Sequence, residues 1–584
     1  MHHYSYFLLK SLNITSRSDL PTWAAFNSLV EVEQPVTTFC SLPLIQGSPT
    51  DRSNLYSALL AAEKIRVSTS SSGKTVITLD LQLYSKCVQL QAREEISSKF
   101  VFRMGELHVV FAALKCIGKF IDNSGLDAVF IEAGIYGPTT VEQIKGGKHM
   151  KRSLEAYTTL YIALFLQHVE KILQNNPEIE KEVREGSIRL AECLENCRSM
   201  RKQELQSVLA DILQMVQSSG FIDAQQRCEK ELYGQAKFLH NFMRMFESLL
   251  LFIRATRTCN WELHLASLQE LSKYFFAFNL QNYARLAPVY LSQMYDLKAN
   301  DPEMWSFLQQ NVSVNKNRIP FSAIGPDHAI EHENRAMKVL GGVKGIANKP
   351  SALDMHFLVM PEMGYITEEF NAMFGIETKK REGHYQLTRG SKDRLSRTVS
   401  RINEVLQNHD ITFEASDHIY NVVTKAVLEE KLAHQFLQVH EEGDRLMKSF
   451  VQERFAGSVS IWEPIPRRKL PTFGNNSKST EIKVRDRVLT LREERRLLTR
   501  FTMASRERPG LDLPGYVGHY EFSVVPCSMF AHDGTMRLCT DKASIMHAVE
   551  KISKVDFTPK VVSEPQGVIM FDGMAYCCQP NQEV

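Results

Sequence analysis

Hydrophobic and polar positions follow two different periods along this chain, and the change of period marks its organisation. From about Cys40 the pattern alternates between strand and helix. FCSLPLIQGSPTD reads as a short apolar strand broken by Gly-Ser-Pro, and SNLYSALLAAEKI after it has helical spacing. SSSGKTVITLDLQLY predicts a turn and a β-rich strand over residues 75–79 that ends on Asp80. KFVFRM predicts a second strand, and GELHVVFAALKCIGKFI an amphipathic helix closed by Asn123-Ser124-Gly125. LDAVFIEAGIYG predicts a third strand with Glu132 near its end. Strands alternating with helices argue for a sheet covered by helices.

After Gly146-Gly147 the helical period dominates, and residues 150–295 carry almost no strand pattern. VSVNKNRIPFSAI follows as extended chain, and GPDHAIEHENRAMKVLGG opens a polar helix expected to end at Gly341-Gly342. The resulting division is an N-terminal segment (1–45), the first part of an α/β core (46–149), a helical insertion (150–295) and the second part of the core with the acidic helix (296–350). A helical region (351–460), a basic Pro-rich linker and helix (461–510) and a small α/β tail read as a truncated domain (511–584) complete it.

Composition narrows the function classes only modestly. Hydrophobic residues at 43% and charged residues at 23% are ordinary for a globular protein, and a net charge of +2 gives no whole-chain field for nucleic acid or membrane. Charge is instead segregated. Residues 375–401 hold eight Lys/Arg against three Asp/Glu, and residues 467–508 hold thirteen against five. The second segment includes Arg467, Arg468, Arg492, Arg495 and Arg496, and reads either as a phosphate-backbone contact or as a solvated helix face. Eleven cysteines at irregular spacing suit a reducing compartment, and Cys193 and Cys197 have no second pair to complete a zinc knuckle. The N-terminal stretch is too short and polar for a signal peptide or span, so an intracellular protein is expected, nuclear rather than cytoplasmic, with no membrane partner. No Walker loop, no GxGxxG after a strand and no GxSxG elbow is present.

The polar helix carries the chemistry. His328, Glu331 and His332 spell HxxEH, the inverted zinc-hydrolase pattern, but Pro326 puts them at a helix end. A second reading takes only carboxylates. Asp327 and Glu331 share a helix face, and a polynucleotidyl-transferase centre needs two or three acids around a pair of divalent ions. Asp80 fits the strand-end ligand, Asp51 or Glu132 the second, and Glu331 the late-helix ligand. His108 would orient a carboxylate or contact phosphate. Each has a plainer alternative: Asp80 as a strand-end residue, Asp51 as the N-cap of the next helix, Glu132 and Glu331 as surface acids, His108 as a structural histidine.

Five blocks in order, LPLIQGSPTDRSNLYSAL, TLDLQLY, RMGELHVVFAALKCIGKFIDNSGLD, GGKHMKR and IGPDHAIEHENRAMKVLGGVKGI, make residues 40–365 resemble a multicopy family of transposon-derived chains without an assigned activity. The resemblance implies an RNase H-like transposase core. The expected fold class is therefore α/β plus α: an RNase H-like mixed sheet with a large all-helical insertion, then a helical region and a small C-terminal α/β tail. It also implies carboxylates at Asp51, Asp80 and Glu331 holding Mg²⁺ or Mn²⁺, with DNA as partner. The family's late helix often has Gln where this chain has His332, which counts against zinc. Its chains run longer at both ends, so a fragment or a decayed copy is expected here. Two functions follow: a transposase-derived DNA-binding protein with metal-dependent nuclease or polynucleotidyl-transferase activity, or a catalytically silent helical interaction protein. Self-association is left open in both.

Overall fold

The computed structural model describes residues 21–38, 47–69, 73–195, 218–339, 350–376, 384–414, 416–457 and 459–468, with single residues and short runs elsewhere, including 6–8 and 479–492 in part. The chain divides into two compact units. Unit 1 comprises residues 1–478 and 492–511. Unit 2 comprises residues 479–491 and 512–584, of which mainly a two-stranded pair is described.

Unit 1 begins with α1 (Trp23–Val30) and α2 (Arg52–Ser68), the second capped by Asp51, whose carboxylate accepts from Ser53 N at 3.0 Å. Then come β1 (Thr75–Leu79), α3 (Leu81–Leu90), α4 (Glu94–Lys99), β2 (Phe100–Met104) and α5 (Glu106–Ile121). Next are α6 (Leu126–Glu132), α7 (Pro138–Lys145), α8 (Met150–Gln174), α9 (Pro177–Glu195) and α10 (Phe221–Glu231). The centre is built by α11 (Gly234–Arg257), α12 (Trp261–Ala277) and α13 (Gln281–Asn300), followed by α14 (Pro302–Gln310). After them lie α15 (Pro326–Val339), α16 (Pro350–Met373), α17 (Arg389–Asn408), α18 (Glu430–Leu437) and α19 (Val439–Phe455). In unit 2, β3 (Ser479–Val484) pairs with β4 (Arg487–Arg492).

The RNase H-like mixed sheet is overturned. Among the described residues of unit 1 the only sheet is β1 with β2, two parallel strands in register Thr75↔Phe100 through Leu79↔Met104. The expected third strand is the helix α6. Its apolar run, Leu126-Asp-Ala-Val-Phe-Ile, is short enough to suit either state, and Gly125 decides it. Gly125 takes φ +91°, and the Ser124 hydroxyl accepts from Leu126 N at 3.2 Å, which starts a helix. The expected strand in FCSLPLIQ and the helix end at Gly341-Gly342 lie outside the described residues, as does most of the C-terminal tail.

The described part of residues 150–295 is helical as read, but it is not an insertion into a sheet. It supplies the core: α11 packs along α12, α12 against α13 and α19, and α5 lies against α11 and α12. α5 is apolar nearly all round, with Val109, Leu114, Ile117 and Phe120 buried, as a helix surrounded by other helices must be. Gly118 lets the end of α7 close onto it, since a Cβ there would stand 2.0 Å from Lys145 O. Neither atom is the tip of a flexible side chain, so Gly118→Ala is expected to cost about 3 kcal/mol or more. A thermal midpoint lowered by several degrees, read by tryptophan fluorescence, checks it; an unchanged midpoint contradicts this packing. No helix among the described residues is long and apolar enough to cross a membrane.

Candidate functional site

β1 and β2 end level with each other, and Gly105 N donates to Leu79 O at 2.8 Å just past the last paired residues. The chain therefore leaves the sheet twice at one place, as Asp80 and as Gly105-Glu106. Carboxyl ends of parallel strands are where α/β elements usually gather ligand-binding groups. Asp80 also caps α3, accepting from Leu83 N at 2.8 Å. On the other strand the N-cap of α5 is Gly105, which has no side chain to satisfy the first helical N–H groups.

A residue from α15 takes that role. α15 packs against α5 and β1, and Asp327 in its first turn reaches across. Its Oδ2 accepts from Leu107 N at 2.9 Å and from His108 N at 3.4 Å, and lies 3.1 Å from His108 Nδ1. Its Oδ1 accepts from His328 N at 2.9 Å. A negative charge at two helix N-termini is well placed. Two glycines make room for it. A Cβ at Gly105 would stand 2.4 Å from Asp327 Oδ2, and one at Gly325 would stand 2.8 Å from both Asp327 Oδ1 and Glu106 Oε2.

The electrostatics centre on His108. Its hydrogen bond to Asp327 raises its pKa against the opposing effect of partial burial, and the charges of Asp327, Asp80 and Glu331 add to the rise. Asp327 is 7% exposed, whereas the His108 side chain is 38% exposed, so a buried carboxylate orients a half-open imidazole. Below this pair, Glu106 is pushed up to about 7 by burial, with Arg103 opposing and Asp327 adding. The buried Arg103 guanidinium donates to Glu106 Oε1 and to Val312 O, and lies 5.5 Å from the Trp261 ring centre. Glu106 Oε2 has no hydrogen-bond partner among the described residues. Tyr283 on α13 donates to His108 O at 2.9 Å and lines an adjoining groove of about 620 Å³ with Arg52, Leu81, Gln82, Lys86 and Asn282. Acids and an imidazole thus stand beside a groove that carries two cations.

The sequence-expected residues separate into two sets. Asp80 and Glu331 each act electrostatically on His108 near the strand ends. Asp51 caps α2 and is held low by Ser53, with Lys86 near. Glu132 ends α6 and pairs at 2.7 Å with His409 Nε2, a fully buried ring just past α17. His328 and His332 face each other, ring centres 4.4 Å apart, and burial lowers both, His328 to about 4. Among the described residues no three His, Cys, Asp or Glu side chains are grouped to hold a metal ion. A zinc centre needs three protein ligands, so HxxEH lacks its third here. In the basic segment, Arg468 is held by Glu442 at 3.0 Å and by Asn279, while Arg467 is exposed. Only the backbone of Arg492 is described, and Arg495 and Arg496 lie outside the described residues.

Sequence reasoning missed Asp327 as the hub, together with Glu106 and Tyr283. The usable signal was the pair of glycines, each next to a helix start and one or two residues from an acid: Gly105-Glu106 and Gly325-Pro-Asp327.

A family model described as a domain of unknown function (DUF8702) matches residues 22–516, so every candidate from Asp51 to Arg496 falls inside the match. No curated protein and no solved structure matches the chain.

Proposed function

The chain belongs to the family described as a domain of unknown function (DUF8702), and we propose that it is a nucleic-acid-processing protein that hydrolyses or transfers phosphodiesters at the strand-end cluster. The observation that carries this reading is the Asp327–His108 pair, flanked by Asp80 and Glu331. Asp327 holds Nδ1 of His108, which leaves Nε2 to take a proton. In hydrolysis, a water gives that proton to Nε2 while its oxygen bonds phosphorus. The phosphorus bond to the leaving sugar oxygen breaks, and that oxygen takes a proton from the imidazolium or from solvent. Asp327, Asp80 and Glu331 stabilise the imidazolium as it forms. Arg52 and Lys86 in the adjoining groove suit an anionic substrate.

The acids fit Mg²⁺ or Mn²⁺ better than zinc. Magnesium typically takes one or two carboxylates and completes its shell with waters and substrate phosphate, so Asp80 and Glu331 would hold it without a third protein ligand. When bound, such an ion supplies charge neutralisation at the phosphate. Nicking of supercoiled plasmid with Mn²⁺ is the test, comparing the wild type with Asp80→Asn and Glu331→Gln. Asparagine caps a helix as well as aspartate, so α3 should survive the first change. Both variants are expected to lose nicking by 100-fold or more, on the order of one missing catalytic group. Nicking unchanged in Glu331→Gln overturns the assignment of that acid.

One feature favours the second reading, a silent interaction protein. α16 and the turn after it leave Met363, Ile366, Phe370 and Phe374 exposed. A wild-type chain that binds DNA but leaves it uncut in Mn²⁺ would support that alternative.

A further inference from the structure

α17 divides cleanly into two faces. Leu395, Val399, Ile402 and Leu406 are buried against the body, where α17 packs on α8 and α6. Arg394, Arg397 and Arg401, at spacings of three and four, lie on the open side. These three arginines line a groove of about 240 Å³ whose other wall includes Ile135, Tyr136 and Glu155. Glu155, 2.7 Å from Arg394, is the one carboxylate among the lining residues. Arg397 donates to a backbone carbonyl, Asp393 O, at 3.3 Å. Arg152 acts on Tyr136 from α8, and Lys151 lies 5.4 Å from the ring centre of the exposed Tyr385. The lining thus holds three arginines and one tyrosine ring around one carboxylate, with Arg152 acting on that ring from α8.

We propose that this groove between α17, α8 and the turn after α6 is a docking site for single-stranded nucleic acid, with Arg394, Arg397 and Arg401 on consecutive phosphates and Tyr136 available to a base. The inference rests on the nucleic-acid reading of the strand-end site and names how the strand is held. Along a helix, residues three or four apart rise about 4.5–6 Å, so the stripe presents guanidinium groups at intervals a flexible strand can follow. Arginine prefers phosphate oxygens in bidentate geometry, and tyrosine rings accept unstacked bases of any sequence. An acidic peptide would use the arginines but gives the ring faces no flat partner, which is why the strand is favoured. This site is separate in sequence from residues 467–508, and it takes three of the eight Lys/Arg of residues 375–401.

The test measures binding of a labelled single-stranded oligonucleotide by fluorescence anisotropy, with the full chain in EDTA so that no cutting occurs. The triple change Arg394→Gln, Arg397→Gln, Arg401→Gln should lower the log–log salt slope by about 2, since each lost contact removes about 0.7 on a single strand. Arg397→Gln alone should lower it by about 0.7 without touching the Glu155 pair, which keeps the test valid if the triple variant is misfolded. Slopes equal to wild type, or a wild type that does not bind at all, overturn the groove. Displacement of the strand by poly-glutamate at equal charge assigns the groove to acidic peptides and overturns it as well. A chain that binds in EDTA with the expected slopes but never nicks DNA in Mn²⁺ removes the catalytic reading and leaves the groove standing. Nicking by wild type with unchanged slopes in the variants removes the groove alone.

Discussion

Asp327→Asn is expected to lower turnover at His108 by between about 10²- and 10⁴-fold, the span seen when a positioned acid–base group or its orienting partner is lost. The substitution is nearly isosteric. Its amide oxygen can still accept from Leu107 N, where Asp327 Oδ2 now sits at 2.9 Å, so α5 keeps its cap. What changes is the face presented to His108 Nδ1, at 3.1 Å from a carboxylate oxygen in the native chain. The oxygen that accepts from Leu107 N is the one that meets His108 Nδ1, so the ring then faces a neutral amide oxygen, a weaker acceptor for the Nδ1 proton, and the tautomer with Nε2 free is held less firmly. The charge that holds the imidazolium also disappears. The pKa of His108 is raised first by its hydrogen bond to Asp327, so it should fall towards or below the ordinary histidine range in the variant. For a base that must be neutral to work, the acid limb of the rate profile then moves to lower pH even as the maximum drops. An NMR titration of the His108 ring measures the shift without any substrate. A His108 pKa that is the same in wild type and Asp327→Asn would show that the carboxylate does not control the ring, and the proposed mechanism would fall with it.

How much of this was legible in the sequence depends on which physical signal each element carried. β1 and β2 were readable because TVITL and FVFRM are rich in β-branched and aromatic residues; β1 holds to the residue, and β2 starts at Phe100, one residue later than KFVFRM. α5 and the helices of residues 150–295 were readable because their apolar period persists over many turns. α6 was not, because six apolar-rich residues fit both periods, and the φ of Gly125 that settles the matter is set by packing. Gly125 is pressed against Val422 and Asn421, nearly three hundred positions away. The mixed sheet failed with it, since without a third strand the acids are gathered by helix starts as well as by the ends of two strands. That same difference explains Asp327. A carboxylate that caps a helix from another helix leaves no local trace, except that both partners need glycine where the chains approach.

A buried histidine on α8 and a half-buried glutamate on α11 should tilt the pH dependence of stability in opposite directions. His168 on α8 is 1% exposed, both its ring nitrogens lack partners, and burial lowers its pKa to about 4. The unfolded chain therefore binds this proton first, and the group's contribution is lost as pH falls from about 6.5 towards about 4, amounting to on the order of 3 kcal/mol. Glu247 on α11 runs the other way. Burial raises it to about 7, with Glu229 adding, so the folded chain holds its proton where the unfolded one has released it. Its contribution is present below the ordinary carboxyl range and is lost as pH rises through about 7, again on the order of 3 kcal/mol. The wild-type profile can be nearly flat because the two oppose, but the variants cannot both be. His168→Leu should gain stability relative to wild type as the solution is acidified below about pH 6.5, and it also removes two unsatisfied nitrogens. Glu247→Gln should gain relative to wild type as pH rises towards about 7. The four tryptophans, Trp23, Trp261, Trp305 and Trp462, all fall in unit 1, so urea unfolding followed by their fluorescence reports the unit that holds both groups. Difference curves that slope the same way with pH for the two variants would mean that at least one of these side chains is hydrated in the folded protein, and the packing between α8 and α11 would have to be looser than described.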